Sequence, residues 1–319
     1  MVNETRGKIL QALRDSSDYV SGEALSQKLG ISRVSVWKHV HTLQQEGYTI
    51  EASPKGYLLV SSPDLLLPYE FAGRERKIHH FAELGSTMDV ARELAKQGAE
   101  EGTVVIAERQ SQGKGRLDRE WLSSESGIYF TIILRPKISP VYAPRINLMA
   151  SVAVAKTIRS LFGLKAELKW PNDVLIEGKK VCGILAEMDA EIDKVNSVNV
   201  GIGVNANNLI SEHERKATSL REQLGREIPR KDFLSSLLKE ISEQQALLTK
   251  ADLLEEWKSL SATLNKDVRI MAQDEEIVGK AIDIDANGTL IVKTRDGSLR
   301  NIFAGDCVHV MEEAPDTNI

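Results

Sequence analysis

The chain has 319 residues, 42% hydrophobic and 27% charged, with a net charge of −5. That is length enough for two or three domains of ordinary globular composition, and the acidic balance excludes a surface that coats nucleic acid indiscriminately. No run reaches the roughly 18 apolar residues needed to span a bilayer, the charged MVNETRGKIL is unlike a secretion signal, and Cys182 and Cys307 give neither metal-ligand spacing nor a disulfide framework.

The cytoplasm is therefore the expected compartment, with no membrane partner. Charge is unevenly spread. Residues 1–60 hold seven basic and six acidic residues, whereas 265–319 hold six basic and eleven acidic. A DNA-binding segment in this chain must work by local placement of its charges.

In chain order, ETRGKILQAL sets Ile9, Leu10 and Leu13 on one helical face. SGEALSQKLG opens on Ser21 as an N-cap and closes on Gly30, a C-cap signal. ISRVSVWKHVHTLQQEG begins a third helix capped by Ser32, with Val36, Val40 and Leu43 on its apolar side. YTIEAS and GYLLV then alternate as two strands around Pro54-Lys55-Gly56. Three helices and a two-stranded wing make a winged helix-turn-helix. Its third helix would enter the major groove, with Ser32, Arg33, Ser35 and Lys38 on or beside the polar face. Lys55 at the hairpin tip would meet a phosphate, a contact that carries no sequence information. These five are the DNA-binding candidates.

SSPDLLLPYEFAG (61–73) reads as a linker or brief connecting helix. From 74 to 263, strand-like runs (TVVIAE, IYFTIIL, CGILAEM, SVNVGIGVN) alternate with helical ones (STMDVARELAKQ, RINLMASVAVAKTIRSLF, KDFLSSLLKEISEQQALL). The fold class is α+β with a mixed or antiparallel sheet. From about 265, DVRIMA, EEIVGKAIDID, TLIVKT and LRNIFAG follow at turn spacings, with Asn287-Gly288 and Asp296-Gly297 as hairpin turns. That spacing predicts a small β-barrel. The expected division is 1–62, a linker 63–73, 74–263 and 264–319.

Four stretches of the middle segment carry polar chemistry. GST (85–87) precedes a helix that Ser86 or Thr87 can cap. RQSQGKGRLDREW (109–121) is a basic, glycine-rich loop. It is not the phosphate loop of NTPases, because Glu108 stands where the first glycine belongs and Gly115 follows Lys114. KWPND (169–173) sets two polar residues after an extended Trp-Pro, and KKVCGILAE (179–187) runs Lys179 and Lys180 into an apolar strand. GIGVN (201–205) lacks the third glycine of a dinucleotide fingerprint. His79, His80 and His213 suit surface or structural roles better than metal ligation, and Cys182, among apolar neighbours, suits an inert buried thiol.

Taken in order, GST, Q-x-x-G-K-G-R-x-x-x-x-W, KWPND, K-x-x-G-I-L-x-E and G-I-G-V-N resemble the catalytic domain of biotin protein ligases. With the winged helix in front and the barrel behind, the whole chain looks like the bifunctional bacterial type, biotin–protein ligase and biotin-operon repressor. The resemblance covers roughly residues 4–313. It implies an SH3-like C-terminal barrel, the substrates ATP and biotin, and Mg²⁺. It also implies a biotin carboxyl carrier protein as acceptor, operator DNA as partner, and a homodimer formed on adenylate binding. Two other readings of the same segments are a ligase-like domain that only senses an effector and a lipoate or other acyl ligase.

By the same resemblance, Ser86, Thr87 and Gln110 would bond biotin's ureido ring, where an unpaired buried polar group costs about 1–3 kcal/mol. Lys114, Gly115 and Arg116 would line the valeryl chain, carboxylate and α-phosphate, and Gly113 would offer a bare amide to the nucleotide. Lys180 would meet the carboxylate or acyl oxygen. Asn172 and Asp173 would position phosphate, Mg²⁺ or the incoming lysine, Trp121 would cover the closed loop, and Asn205 would meet the nucleotide. Arg116, Lys180 and Asp173 are the catalytic candidates. Two departures stand out: Lys114 where the family commonly has arginine, which loses the planar fork, and Met88 where it often has Asn or Gln. Met88 can line the biotin site but brings no strong donor.

Overall fold

A computed structural model describes residues 4–117, 119–212, 214–272 and 275–310. The chain divides into two compact units, one comprising the chain as far as His80 together with Pro229–Lys231, the other the remainder. In the first, α1 (Glu4–Arg14), α2 (Gly22–Leu29) and α3 (Arg33–Gln45) precede the hairpin β1 (Thr49–Ser53) and β2 (Gly56–Ser61). The Ser21 hydroxyl accepts from the Ala24 N–H at 3.0 Å and Gly30 turns left-handed at φ 64, so α2 stops where its cap residues dictate. Two residues on, the Ser32 hydroxyl accepts from the Ser35 N–H at 3.1 Å and starts α3.

Ile9, Leu10, Leu13, Leu25, Val36, Val40, Leu43 and Ile50 form the core of this unit. Each such buried side chain contributes about 1.5–3 kcal/mol. The stretch expected as a linker or brief helix joins that core. It holds a 3₁₀ turn, Pro68–Glu70, whose Tyr69 packs inside, while Tyr48 and Arg14 donate to the Glu70 carboxylate.

The large sheet has seven strands: β3 (Ile78–Leu84), β4 (Val104–Gln110), β5 (Ile128–Leu134), β6 (Ala166–Lys169), β7 (Asp173–Ile176), β8 (Lys179–Ala190) and β9 (Val195–Val204). Their order is β3-β4-β5-β9-β8-β7-β6, and from β4 to β6 every neighbour pairs antiparallel. All seven residues of β5 are buried. The helices α4 (Thr87–Lys96) and α5 (Ala143–Phe162) pack on this sheet. After β9 come α6 (Leu220–Leu224), α7 (Arg230–Gln245) and α8 (Ala251–Leu260).

The chain closes with β10 (Asp267–Ala272), β11 (Glu275–Ile284), β12 (Leu290–Thr294), β13 (Leu299–Ile302) and β14 (Asp306–His309). They form one antiparallel sheet in the order β13-β12-β11-β10-β14, with the two expected turn pairs between β11, β12 and β13. Sequence periodicity did not register β3, β6, β7 or β14. The last three have four residues each, which leaves little room for an alternation to register, and His79-His80 interrupts the apolar pattern of β3. Among the described residues no helix is long and apolar enough to cross a membrane.

Candidate functional site

The pocket opens on the face of the sheet beneath the basic loop. Its polar end is fixed by a relay of hydrogen bonds. Ser86 caps α4, accepting from the Met88 N–H at 3.3 Å. The next residue, Thr87, donates from its N–H at 2.8 Å and its hydroxyl at 3.1 Å to Gln110 Oε1, at the end of β4. Thr131 Oγ1 donates to Thr87 Oγ1 at 2.8 Å, and Gln110 Nε2 donates to Ser123 Oγ at 2.9 Å. Gln110 is thereby oriented, with its amide oxygen already occupied and one N–H still to give.

Glycines make the floor. Gly203 on β9 pairs with Gly183 on β8, and Gly201 lies two residues away on the same face. A Cβ at Gly203 would stand 2.4 Å from the Trp121 indole nitrogen, one at Gly183 2.8 Å from the same ring, and one at Gly201 2.7 Å from Met88 Sδ. The GxG of GIGVN therefore clears a seat for an indole and a thioether. Trp121 packs on this floor, with the Lys180 ammonium 5.2 Å from its ring centre.

One glycine of the loop acts differently from the expectation. The Gly115 N–H is spent on the Arg119 carbonyl at 2.8 Å, and the Gly113 carbonyl accepts from the Trp121 N–H at 2.8 Å. A Cβ at Gly113 would lie 2.3 Å from the Trp121 carbonyl. These glycines let the loop fold on itself, the Gly115 amide is not bare, and Gly113 lines the outer rim.

Four cations meet here, each already partnered. Lys114 pairs with Asp89 at 2.5 Å, and Asp89 also holds Arg92 at 3.0 Å. Arg116 donates to Asn172 Oδ1 at 3.0 Å and to the Gly305 carbonyl at 3.1 Å. Asn172 is locked in turn, its amide donating to the Ile184 carbonyl at 2.7 Å. The Lys180 ammonium sits 2.6 Å from the Asp173 carboxylate. Arg119 forks onto Asp306 at 3.1 and 2.6 Å.

Burial pushes the Arg116 guanidinium down, and Asp173 and Asp306 push it back up; it remains a cation. Arg119 holds the Asp306 carboxyl below its usual value against partial burial. Burial pushes the Cys182 thiol up, so it supplies no thiolate at neutral pH. The site offers fixed positive charge and hydrogen bonds, which suits stabilising a polyanion.

The structure brings together Ser86, Thr87, Met88, Gln110, Lys114, Gly115, Arg116, Trp121, Asn172, Asp173 and Lys180 around one cavity of about 150 Å³. Asn205 lies elsewhere. It is buried, its amide donates to the Thr218 carbonyl at 3.1 Å, and its oxygen accepts from Asn208 at 3.3 Å. Sequence inspection missed Arg119, the glycine floor and Asp306. Arg119 lay unassigned within the basic loop, whereas Asp306 is 187 residues further along and carries no local signal. His79 and His80 lie on β3; His213 lies outside the described residues.

In the first unit, the Ser32 hydroxyl serves as the α3 cap, Ser35 is half-buried, and Lys38 and Lys55 are exposed. Arg33 is exposed, 3.9 Å from Glu23. Val34 and Trp37 also stand out from this helix.

Fold and site together define a ligase of the biotin/lipoate type joined to a helix-turn-helix unit. Residues 81–207 match the biotin/lipoate A/B protein ligase family, 5–58 an HTH domain family, and 263–310 the biotin protein ligase C terminal domain. The bifunctional ligase/repressor BirA of Bacillus subtilis is 37% identical, over 91% of this chain and 94% of that protein. Its Escherichia coli counterpart is 28% identical, over 93% and 95%. Among solved structures, the Aquifex aeolicus biotin protein ligase in complex with biotin and ATP superposes with a TM-score of 0.62 at 29% identity, covering 72% of this chain and 97% of that one. The chain belongs to the bifunctional ligase/repressor family.

Proposed function

We propose that this protein joins biotin to ATP, transfers the biotinyl group to a lysine of a biotin carboxyl carrier protein, and represses biotin genes when loaded with the adenylate. The observation that carries the ligase half is the convergence of Arg116 and Lys180 with Asn172 and Asp173 in one pocket under the basic loop. In the first step a biotin carboxylate oxygen attacks the α-phosphorus of ATP and pyrophosphate leaves. In the second, the acceptor amine attacks the acyl carbon and AMP leaves. Two unit anions 4 Å apart repel by roughly 4 kcal/mol at an effective dielectric near 20. Arg116 and Lys180 offset this by moving from their present partners to the phosphate and carboxylate, while Asn172 and Asp173 position them. Ser86, Thr87 and Gln110 hold the ureido ring, Met88 and Gly115 line the hydrocarbon path, and Lys114 guards the mouth. Trp121 offers a flat face to the nucleotide, and Gly113 sets the loop's curvature.

Mg²⁺ would be held mainly by the nucleotide's phosphates and water. Among the described residues no group of three His, Cys, Asp or Glu side chains is placed to hold a metal. Asp173 would give the protein's share. Such an ion would neutralise phosphate charge.

The wing and α3 support operator binding through Arg33, Ser35, Lys38 and Lys55, with Ser32 fixing the start of the helix. Adenylate binding orders the basic loop and favours a homodimer, so that two winged helices meet two half-sites. The protein works in the cytoplasm, with functional boundaries at 62, 73 and 263. The test is ATP-dependent transfer of biotin to a purified carrier domain, detected with streptavidin, with lipoate as competitor. Transfer that lipoate does not inhibit is expected; transfer of lipoate instead would redirect the assignment. Dimerisation constants with and without biotinyl-AMP test the switch, and equal values would remove it.

A further inference from the structure

One side of α3 is spent on the core: Val36, Val40 and Leu43 are buried. The opposite side carries two large apolar groups that the rest of the described chain leaves uncovered. Val34 is 63% exposed and Trp37 55% exposed. They stand three residues apart, one above the other on the same face and about 4.5 Å apart along the axis. The Trp37 ring is stacked on His41, centroids 5.5 Å apart and 2° from coplanar. An indole braced in this way is a stiff apolar plate that loses little freedom on contact. Around it stand the exposed cations Arg33 and Lys38, and Lys55 rises from the wing across the groove.

The cations decide what covers this face. A second copy of the chain applied about a two-fold axis would set Arg33 and Lys38 against their own equivalents. A nucleic-acid duplex instead supplies phosphates for the cations. Within the major groove it offers one apolar group only, the methyl of thymine. We infer that Val34 and Trp37 read thymine methyl groups, giving the DNA-binding unit part of its sequence preference without a hydrogen bond. This rests on the repressor half of the function proposed above and adds its specificity determinant.

The probe is a duplex selected from a random-sequence pool by the full chain in the presence of biotin and ATP. Each thymine is replaced in turn by deoxyuridine, which removes one methyl and leaves the hydrogen-bonding edge intact. The natural protein is expected to lose about fourfold in affinity at one or two positions of each half-site, the change that corresponds to burying one methyl group. The Val34→Ala/Trp37→Ala protein should bind thymine and uracil duplexes equally. Its binding to an unrelated duplex at low salt should match that of the natural protein, which shows that it is folded. Indifference of the natural protein to every uracil overturns the inference. So does a double variant that still discriminates, or one whose self-association without DNA is altered while its discrimination stays. Failure of any duplex to be selected is a different result, because it removes the repressor half as well.

Discussion

The Lys180 ammonium rests 2.6 Å from the Asp173 carboxylate, across the junction of β8 and β7. The pair is partly solvent-exposed at the pocket wall, so the ammonium can leave its partner for a ligand oxygen at modest expense. Lys180→Ala is expected to slow adenylate formation about 10²–10³-fold, the usual effect of removing one donor from a developing charge. Single-turnover formation of biotinyl-AMP measures it. DNA binding by variant protein preloaded with biotinyl-AMP should survive; its loss would mean that Lys180 supports the fold and not the chemistry.

The glycine floor makes a steric prediction. With only 2.4 Å between a Cβ at position 203 and the Trp121 indole nitrogen, Gly203→Ala must displace the ring. A fall of about tenfold in kcat/KM for ATP is expected, equivalent to about 1.4 kcal/mol, with far-ultraviolet dichroism unchanged. Unaltered ATP kinetics would show that Trp121 does not serve the nucleotide.

Asp306 ties the C-terminal sheet to the loop through Arg119. Its carboxyl is depressed below the ordinary 3.8, chiefly by that guanidinium. A depressed carboxyl contributes stability that is fully present above the unfolded value and lost as pH falls through the folded one. The Tm difference between the natural protein and Asp306→Asn should therefore be flat from about pH 5 to 8 and shrink only below about pH 4. Because the pair is more than one-third exposed on both sides, the difference should be small. A step in it between pH 6 and 7 would assign it to another group.

Much of this was legible from the residues. Ser21, Gly30 and Ser32 announce three helix boundaries, and KWPND, GKGR and Lys180 converge where the motif order implies. What stayed hidden has a physical cause. Asp306 meets the loop through tertiary folding alone, and the roles of Gly183, Gly201 and Gly203 appear only once Trp121 and Met88 are seen against them. The Gly115 amide is spent inside the loop, because a glycine's sequence signal does not distinguish a bare N–H from a close backbone approach. Asn205 was drawn in by its neighbours in GIGVN, yet its amide is consumed by Thr218 and Asn208.

Removing residues 1–60 should abolish operator binding and leave at least partial biotin ligation, measured by electrophoretic shift and by biotin transfer on the same preparation. Loss of both activities in a folded truncation would mean that the two halves depend on each other more than their separate cores imply.

The most direct measurement is biotin-dependent exchange of labelled pyrophosphate into ATP. If the cations of this pocket join two mutually repelling acids into a mixed anhydride, exchange must appear with biotin, vanish without it, and fall at least about 10²-fold in Arg116→Ala. Folded protein that binds biotin and catalyses no exchange, or exchanges equally well without Arg116, would contradict the account.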